Sequence, residues 1–553
     1  MVKLPDNVVE RYDVQIKFLD HLGTSGATAF RSYRESKTLA VGAGSFLVSL
    51  VAALFESGLL NVHAIVTDAG PTDRRLFISL AEKARKMEPR AELTLDEATV
   101  MDWREKIRPF DWILYADKRM KLNEVRTIHT ACREEKKNLL IATCVGHMGF
   151  AGPLVTLDSD GCWESAWRRL HHSAVHSDPM IPIISSAAEP MLANIIVFDM
   201  FRTITQVTKP ELENKFLLLD LHTLEGNYHS FLPHPLVTQK GMTTEQVQNL
   251  DELLVCGKSN DGDPTPTDFL SIVHQLTSPQ SGILHHWDEG DLNQLPLSQC
   301  RVQAVDPLSE GPAELLPVMI CAGLTHMEAR KEAGLAGIEA YLTRMANFSD
   351  FQSHHAMPSE YIEISAGETV EEAVYRGLQK CLTQQLRRQI VDRQTNVRGI
   401  QLHDVQDVHC RYYLQALTTM QGAPSIGLGD HVLGFPVVWV GSGDHWYGSV
   451  GLNRTLALRM ALQQALLKAQ NRAEIITLQG VEIPNLVPEE AITTPLEIEA
   501  VTDYAELIHE ALSDLKRNRT RLLVYKIMVE PFLNEHLGGL FGVMLEKEED
   551  QGE

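Results

Sequence analysis

A short apolar run, Thr38 to Val41, leads into Gly42-Ala43-Gly44-Ser45-Phe46-Leu47. Two glycines at this spacing let a chain turn tightly and bring backbone N–H groups against a phosphate, and a helix that follows adds the positive end of its dipole. Asp68 closes the next apolar run, Val62 to Thr67, where a carboxylate can accept hydrogen bonds from a ribose. Leu47 stands where the full fingerprint has its third glycine, which lets helix and strand close up beside the phosphates. Two readings follow: a nucleotide-binding turn, or the same turn kept without a ligand. The other reactive residues are more isolated. His172 and His176 are one helical turn apart and could share a metal, but no third ligand sits at a motif spacing, so ordinary histidines are expected. Cys144 ends an apolar run with no His or Asp tied to it, which favours a buried thiol over a nucleophile. His285-His286-Trp287-Asp288-Glu289 and Asp444-His445-Trp446 read as loop anchors.

The elements that must position the glycine turn are legible around it. Thr38 to Val41 reads as a strand, Phe46 to Glu56 as a helix stopped by Gly58, and Val62 to Thr67 as a second strand, a βαβ unit. Such a unit puts the glycine turn and the end of the second strand on one edge of a parallel sheet. The alternation continues through a helix over Arg75 to Met87, a strand over Trp112 to Tyr115 ending at Asp117, a helix over Leu122 to Glu135 and a strand over Leu139 to Cys144. That order predicts a doubly wound, Rossmann-like α/β domain. Beyond it come a helix over Ala188 to Ile204 and a strand near Phe216 to Leu221. Residues 257 to 283 are rich in turn formers and read as a connector. The second half carries a weak repeat, in which Ala322-Gly323, Ala366-Gly367 and Val450-Gly451 each open a long helix, so an α+β domain is expected there. Glu546 to Glu553 is nearly all charged and reads as a frayed end. The expected division is 1–256, a linker over 257–300, and 301–553.

Composition sets the outer limits. At 553 residues the chain is long enough for several domains of about 100–200 residues. Its 44% apolar and 22% charged residues suit a packed globular protein. Asp plus Glu at 73 against Lys plus Arg at 50 leaves a net charge of -23, which repels phosphate backbones and anionic lipid, so nucleic acid and membrane surfaces are not expected partners. The eight cysteines form no C-x-x-C pair, and the first residues carry no apolar stretch resembling a secretory signal. The expectation is a reduced, cytoplasmic protein. The uncharged stretch Thr38 to Phe55 is interrupted by Gly42, Gly44, Ser45 and Ser49 and reads as strand plus helix, not a membrane span.

Several motifs, taken in order, resemble the ThiF-like activating-enzyme fold: Glu10-Arg11-Tyr12-Asp13, Val41-Gly42-Ala43-Gly44, Gly58-Leu59, Phe110-Asp111-Trp112, Asp117 and Gly146-His147-Met148-Gly149-Phe150-Ala151-Gly152-Pro153. The resemblance implies ATP and magnesium as cofactors and adenylation of a peptide carboxylate. It assigns Gly42 and Gly44 to the phosphate turn, Asp68 to the ribose, Arg74 or Arg75 to a phosphate contact, and Asp117 to magnesium. The chain lacks the family's zinc cysteines, and Asp68 to Phe77 is shorter than the family's acidic and Asn-Arg-Gln stretch.

The second half is similar to YcaO-type domains, which use ATP to activate peptide amides during azoline formation. Ala322-Gly323-Leu324-Thr325, Glu328-Ala329-Arg330 and Ile338-Glu339-Ala340-Tyr341 match the first nucleotide-binding helix. Glu339 is the matching acid that remains. Ala336 and Ala340 replace its polar partners, Lys380 and Thr383 the acids of the next helix, and Gln464 an acid of the third. Both halves in this order resemble the ThiF-like thiazole-containing bacteriocin maturation group. That resemblance implies an accessory scaffold that binds a precursor's leader peptide by β-augmentation of a small winged-helix sheet and presents it to a YcaO-type cyclodehydratase. Residues 1–36 are too short for that module. The alternatives are an ATP-dependent enzyme using Gly42, Gly44, Asp68, Arg75 and Asp117, and a structural homodimer.

Overall fold

The computed structural model describes residues 6–22, 25–68, 70–97, 102–159, 161–176, 185–238, 243–256, 266–346, 362–392, 395–471, 480–484, 486, 495–500 and 504–548. The chain divides into two compact units, residues 1–238 with 309–314, and residues 239–308 with 315–553.

The first unit opens with helices α1 (Asp6–Arg11), α2 (Asp13–His21) and α3 (Gly26–Arg34), and the described part of residues 1–36 contains no strand. The expected alternation follows: β1 (Thr38–Gly42), α4 (Gly44–Glu56), β2 (Asn61–Val66), α5 (Arg74–Met87), β3 (Glu92–Glu97), α6 (Trp103–Ile107), β4 (Trp112–Asp117), α7 (Leu122–Glu134), β5 (Asn138–Val145) and β6 (Met148–Ala151). Next come α8 (Trp163–Arg169), α9 (His172–Val175), α10 (Ala188–Thr205), β7 (Lys215–Asp220), β8 (Gly226–Ser230) and α11 (Pro235–Thr238). The sheet order is β3-β2-β1-β4-β5-β6-β7-β8, with β1 to β5 parallel and the last three strands antiparallel.

Every residue of β1 and β4 is buried, as a parallel sheet covered on both faces requires. Ala40, Leu114 and Ala142 face one core, shared with Leu47 and Leu50 of α4 and Leu192 and Ile196 of α10. Leu39, Val41, Ile113 and Ile141 face the other, shared with Val125 and Ile128 of α7. A strict period of two therefore decides that Gly42, Ala116 and Cys144 point toward α4 and α10, and Thr67, Asp117 and Thr143 toward α7. The strand β3 has half-exposed alternation and charged ends, which hid it from a search for apolar runs.

The second unit contains β9 (Thr243–Gln246), α12 (Leu250–Cys256), α13 (Pro266–Leu276), β10 (Leu284–Asp288), β11 (Ser298–Ala304), β12 (Met319–Gly323), α14 (His326–Ala346), β13 (Glu363–Gly367), α15 (Val370–Asp392), β14 (Val397–Val405) and α16 (Val408–Gln421). It continues with β15 (Ser425–Gly429), β16 (Val437–Ser442), β17 (His445–Val450), α17 (Arg454–Gln470), β18 (Val481–Pro484), β19 (Pro495–Ile498), α18 (Tyr504–Arg517), β20 (Thr520–Met528), α19 (Pro531–His536) and β21 (Gly539–Lys547). These strands form three sheets, β10-β11-β12, β13-β21-β20-β9 and β18-β17-β16-β15-β14-β19. The mixed α/β class with a Rossmann-like sheet domain and an α+β domain is the observed one.

The boundary lies earlier than the sequence suggests. β9 already pairs with β20, Tyr525 opposite Gln246, so the chain has entered the second unit before residue 256. Of the expected linker, 257–265 lies outside the described residues, while 266–276 forms α13 and 284–288 forms β10. Phe269, Val273 and Leu276 of α13 are buried. The turn formers there make a tight corner, in which the Ser278 hydroxyl accepts the N–H groups of Gln280 and Ser281. The two histidine clusters read as loop anchors begin strands or lie within them, His285 and His286 in β10 and His445 and Trp446 in β17. At the acidic end β21 runs to Lys547, and 549–553 lies outside the described residues.

Candidate functional site

In the first unit the site is the edge of the sheet where β1, β2, β4 and β5 end. Gly42 has φ +153, and a Cβ there would lie 1.9 Å from the Ala116 carbonyl oxygen on β4. Glycine is required by this close approach of two backbones. Gly44 has φ +64 with only the Pro71 oxygen within 4 Å of an added Cβ, so its requirement is conformational. Leu47 is fully buried in the core with Leu50 and Val51, which fills the space a third glycine would leave between helix and strand.

Three donors that a phosphate would meet here, the Gly44 N–H, the Ser45 hydroxyl and the Lys118 ammonium, already have partners from the chain. The Gly44 N–H donates to the Thr72 hydroxyl at 2.8 Å. The Ser45 hydroxyl donates to Glu189 Oε2 at 2.5 Å, and Lys118 Nζ donates to Glu189 Oε1 at 3.1 Å. Glu189 sits in the first turn of α10 with its side chain only 12% exposed. A carboxylate thus lies against the first turn of α4, where the helix dipole favours negative charge.

The sequence-assigned acids are placed as follows. Asp68, fully exposed, accepts from Lys121 Nζ at 2.6 Å, and this ammonium holds its carboxyl below the usual range. Asp117 is 2% exposed; desolvation pushes its carboxyl upward, partly offset by the Arg119 N–H at 2.9 Å and the Thr67 hydroxyl at 3.4 Å. Glu124 on α7, also raised by burial, accepts from the Tyr115 hydroxyl at 3.4 Å. Lys121 lies within electrostatic reach of all three carboxylates. Arg75 is exposed in the first turn of α5, where its N–H is capped by Asp73. The edge therefore brings Gly42, Gly44, Asp68 and Asp117 together, and adds Thr72, Lys118, Lys121, Glu124 and Glu189, which the sequence reading did not single out. Lys118 and Lys121 follow Asp117 closely and could have been noticed. No local signal marks Glu189.

Cys144 also faces this edge. Burial, with the nearby Glu189 charge, pushes its thiol up to about 11. Because the thiolate is the nucleophile, iodoacetamide at about pH 7.5 is expected to label Cys144 on the order of 100-fold more slowly than a free cysteine. Peptide mapping over time checks this, and labelling at the free-cysteine rate would contradict it.

In the second unit the repeat seen in the sequence is a structural one. β12 and β13 end at a glycine, and β17 is followed by one, on which the first turn of the next helix rests. A Cβ on Gly323, Gly367 or Gly451 would lie 2.8, 2.5 or 2.3 Å from the backbone nitrogen of Ala329, Ala373 or Ala457. Two of these helices carry reciprocal caps. Thr325 accepts from the Glu328 N–H while Glu328 accepts from the Leu324 N–H, and Thr369 and Glu372 repeat the pattern with the Glu368 N–H. The third helix is capped by Asn453, which accepts from the Leu456 N–H.

Glu339 lies inside this arrangement, 4% exposed on α14. Arg376 Nε and Nη2 donate to its two oxygens at 2.9 and 3.1 Å, Lys380 Nζ donates at 2.8 Å, and the Ala366 N–H at 3.0 Å. Desolvation alone would raise this carboxyl, but Arg376 and Lys380 outweigh it and hold it at about 2. Arg376 also reaches Glu332 at 2.6 Å. Four donors saturate the carboxylate that matches the acid of the nucleotide-binding helix. Of the residues standing where the family has acids, Lys380 binds Glu339, the Thr383 hydroxyl donates to the Gln379 carbonyl, and the buried Gln464 amide has no hydrogen-bond partner.

His172 and His176 stack face to face at 3.8 Å. Among the described residues no group of three or more His, Cys, Asp or Glu side chains is arranged to hold a metal. Among them, too, no helix is long and apolar enough to cross a membrane.

No family model matches this chain, and no curated protein matches it by sequence. Among solved structures, a heterocyclase in complex with substrate and cofactor is similar over 98% of this chain and 87% of its own, with a TM-score of 0.58 and 13% identity. Escherichia coli MccB with ATP covers 41% of this chain and 73% of its own at 13% identity, with a TM-score of 0.33. PaaA covers 42% and 75% at 15% identity, with a TM-score of 0.32. The heterocyclase likeness establishes that the fold of nearly the whole chain, both units in their order, is shared; the two partial likenesses add nothing to that conclusion.

Proposed function

We propose that this chain is an accessory, non-catalytic scaffold that binds the leader segment of a ribosomally made precursor peptide and presents it to a partner cyclodehydratase during thiazole or oxazole formation. The observation that carries the reading is the enclosure of Glu339 by Arg376, Lys380 and the Ala366 N–H. Holding magnesium on a triphosphate takes carboxylate oxygens turned toward the metal, and the acid that matches this role is saturated by cations of its own chain. The fold shared with a heterocyclase that was solved in complex with substrate and cofactor supports a place in heterocycle formation.

Calorimetric titration of the full chain with Mg-ATP, and separately with a synthetic leader from the precursor encoded beside its gene, tests this. The expected result is no nucleotide turnover and a peptide affinity on the order of micromolar. ATP consumed in step with ring or acyl-adenylate formation by the chain alone would refute the scaffold reading.

A further inference from the structure

We infer that the nucleotide crevice of the first unit is closed by the chain's own side chains, with Glu189 occupying the phosphate position at the first turn of α4 and Lys121 the cation position beside Asp68 and Asp117. ATP and magnesium are the cofactors that the activating-enzyme resemblance implies for this turn, and the residues present do not fit them. Gly42 and Gly44 preserve the cradle itself, since a Cβ on Gly42 would strike the Ala116 oxygen and Gly44 holds a left-handed φ. Three donors around that cradle are spent internally. Gly44 N–H is on Thr72, and Ser45 and Lys118 are both on the two oxygens of Glu189.

Charge explains why the closure holds. A carboxylate at a helix N-terminus, bridged to an ammonium and a hydroxyl, reproduces the contacts of one phosphate oxyanion pair. On the other side of the turn, Lys121 Nζ donates to Asp68 at 2.6 Å, and its ammonium is stabilised in its charged form by Asp68 first and by the charges of Glu124 and Asp117 as well. A divalent ion would have to displace that ammonium, and a triphosphate would have to displace Glu189 against the repulsion of its charge. The two internal ions are supplied from distant parts of the chain, Glu189 lying 144 residues beyond Ser45 and Lys121 53 residues beyond Asp68. The closure is thus a property of the tertiary structure and leaves the Gly42–Gly44 turn unchanged.

The inference stands apart from the scaffold reading, which is carried by the second unit. It is tested by equilibrium binding of Mg-ATP and of inorganic pyrophosphate to the full-length chain, its Glu189→Ala and Glu189→Gln variants, and the double variant Glu189→Ala, Lys118→Ala, each checked for native circular dichroism. The quantity read is the affinity that removing Glu189 adds and removing Lys118 takes away. Glu189→Ala is expected to gain about tenfold or more, the scale of one anion at a helix N-terminus. Glu189→Gln, neutral and nearly isosteric, is expected to gain in the same direction and decides the matter if the alanine variant does not fold. Folded variants that bind both probes no better than the wild type overturn the inference, as does a gain that survives the loss of Lys118. Nucleotide binding common to all four proteins belongs elsewhere in the chain and counts against the scaffold reading instead.

Discussion

Replacing Glu339 with alanine is expected to cost the second unit about 3–5 kcal/mol, the range seen when one partner of a buried ion pair is removed. The variant leaves Arg376 and Lys380 facing each other without the carboxylate that neutralises both, in a site where Glu339 is 4% exposed. It also strips the Ala366 N–H of its acceptor. Glu332 continues to pair with Arg376 at 2.6 Å, so Lys380 becomes the less compensated charge. Hydrogen exchange of the α14 and α15 peptides measures the loss within that unit. Protection equal to the wild type would show that the cluster is not structural.

The same cluster sets a pH dependence. The Glu339 carboxyl is held at about 2 in the folded chain, below its ordinary value of 4.5. A depressed acid contributes stability that is fully present above its unfolded pKa and disappears as the pH falls through the folded one. The difference between wild type and Glu339→Ala is therefore expected to be constant at neutral pH and to shrink from about pH 4.5 toward pH 2.

Gly42→Ala is expected to be among the most damaging single changes in the first unit. The new methyl would be driven to 1.9 Å from the Ala116 oxygen, and Ala116 is paired with Gly42 in the register of β1 and β4. Neither backbone can move without opening the buried β1–β4 pair, so a loss above about 4 kcal/mol, at the extreme of single substitutions, is expected. Gly44→Ala is the informative contrast. Its added methyl has room, and the cost is that of a left-handed φ, roughly 1–2 kcal/mol. Thermal melts paired with hydrogen exchange of β1 and β4 separate the two. Equal losses would mean that the turn's conformation, and not the approach of the strands, is what demands glycine.

Those two glycines illustrate how far the sequence could be read. Their spacing after an apolar run announced the turn, and the alternation of β1, β2, β4 and β5 with α4, α5 and α7 was visible as a change of period from two to about 3.6. β3 escaped because an edge strand with alternating charges, Glu92, Asp96 and Glu97, has no apolar run to detect. The domain boundary escaped for a different reason. β9 is four residues of Thr, Glu and Gln, and only its pairing with β20, near the opposite end of the chain, makes it part of the second unit.

What the sequence by itself determined is the set of local devices: the Gly42–Gly44 turn, the Thr325–Glu328 and Thr369–Glu372 caps, and the glycine before each repeated helix. Each is a property of a few contiguous residues, so pattern and chemistry coincide. What only the tertiary structure decided is whether the resulting pockets remain open. Glu189 reaches Ser45 because α10 packs on α4 across the same face of the sheet, and Arg376 and Lys380 reach Glu339 because α14 and α15 both pack against β13. Ion pairing depends on which surfaces meet, and a linear pattern carries the charge of each residue without the face it will oppose.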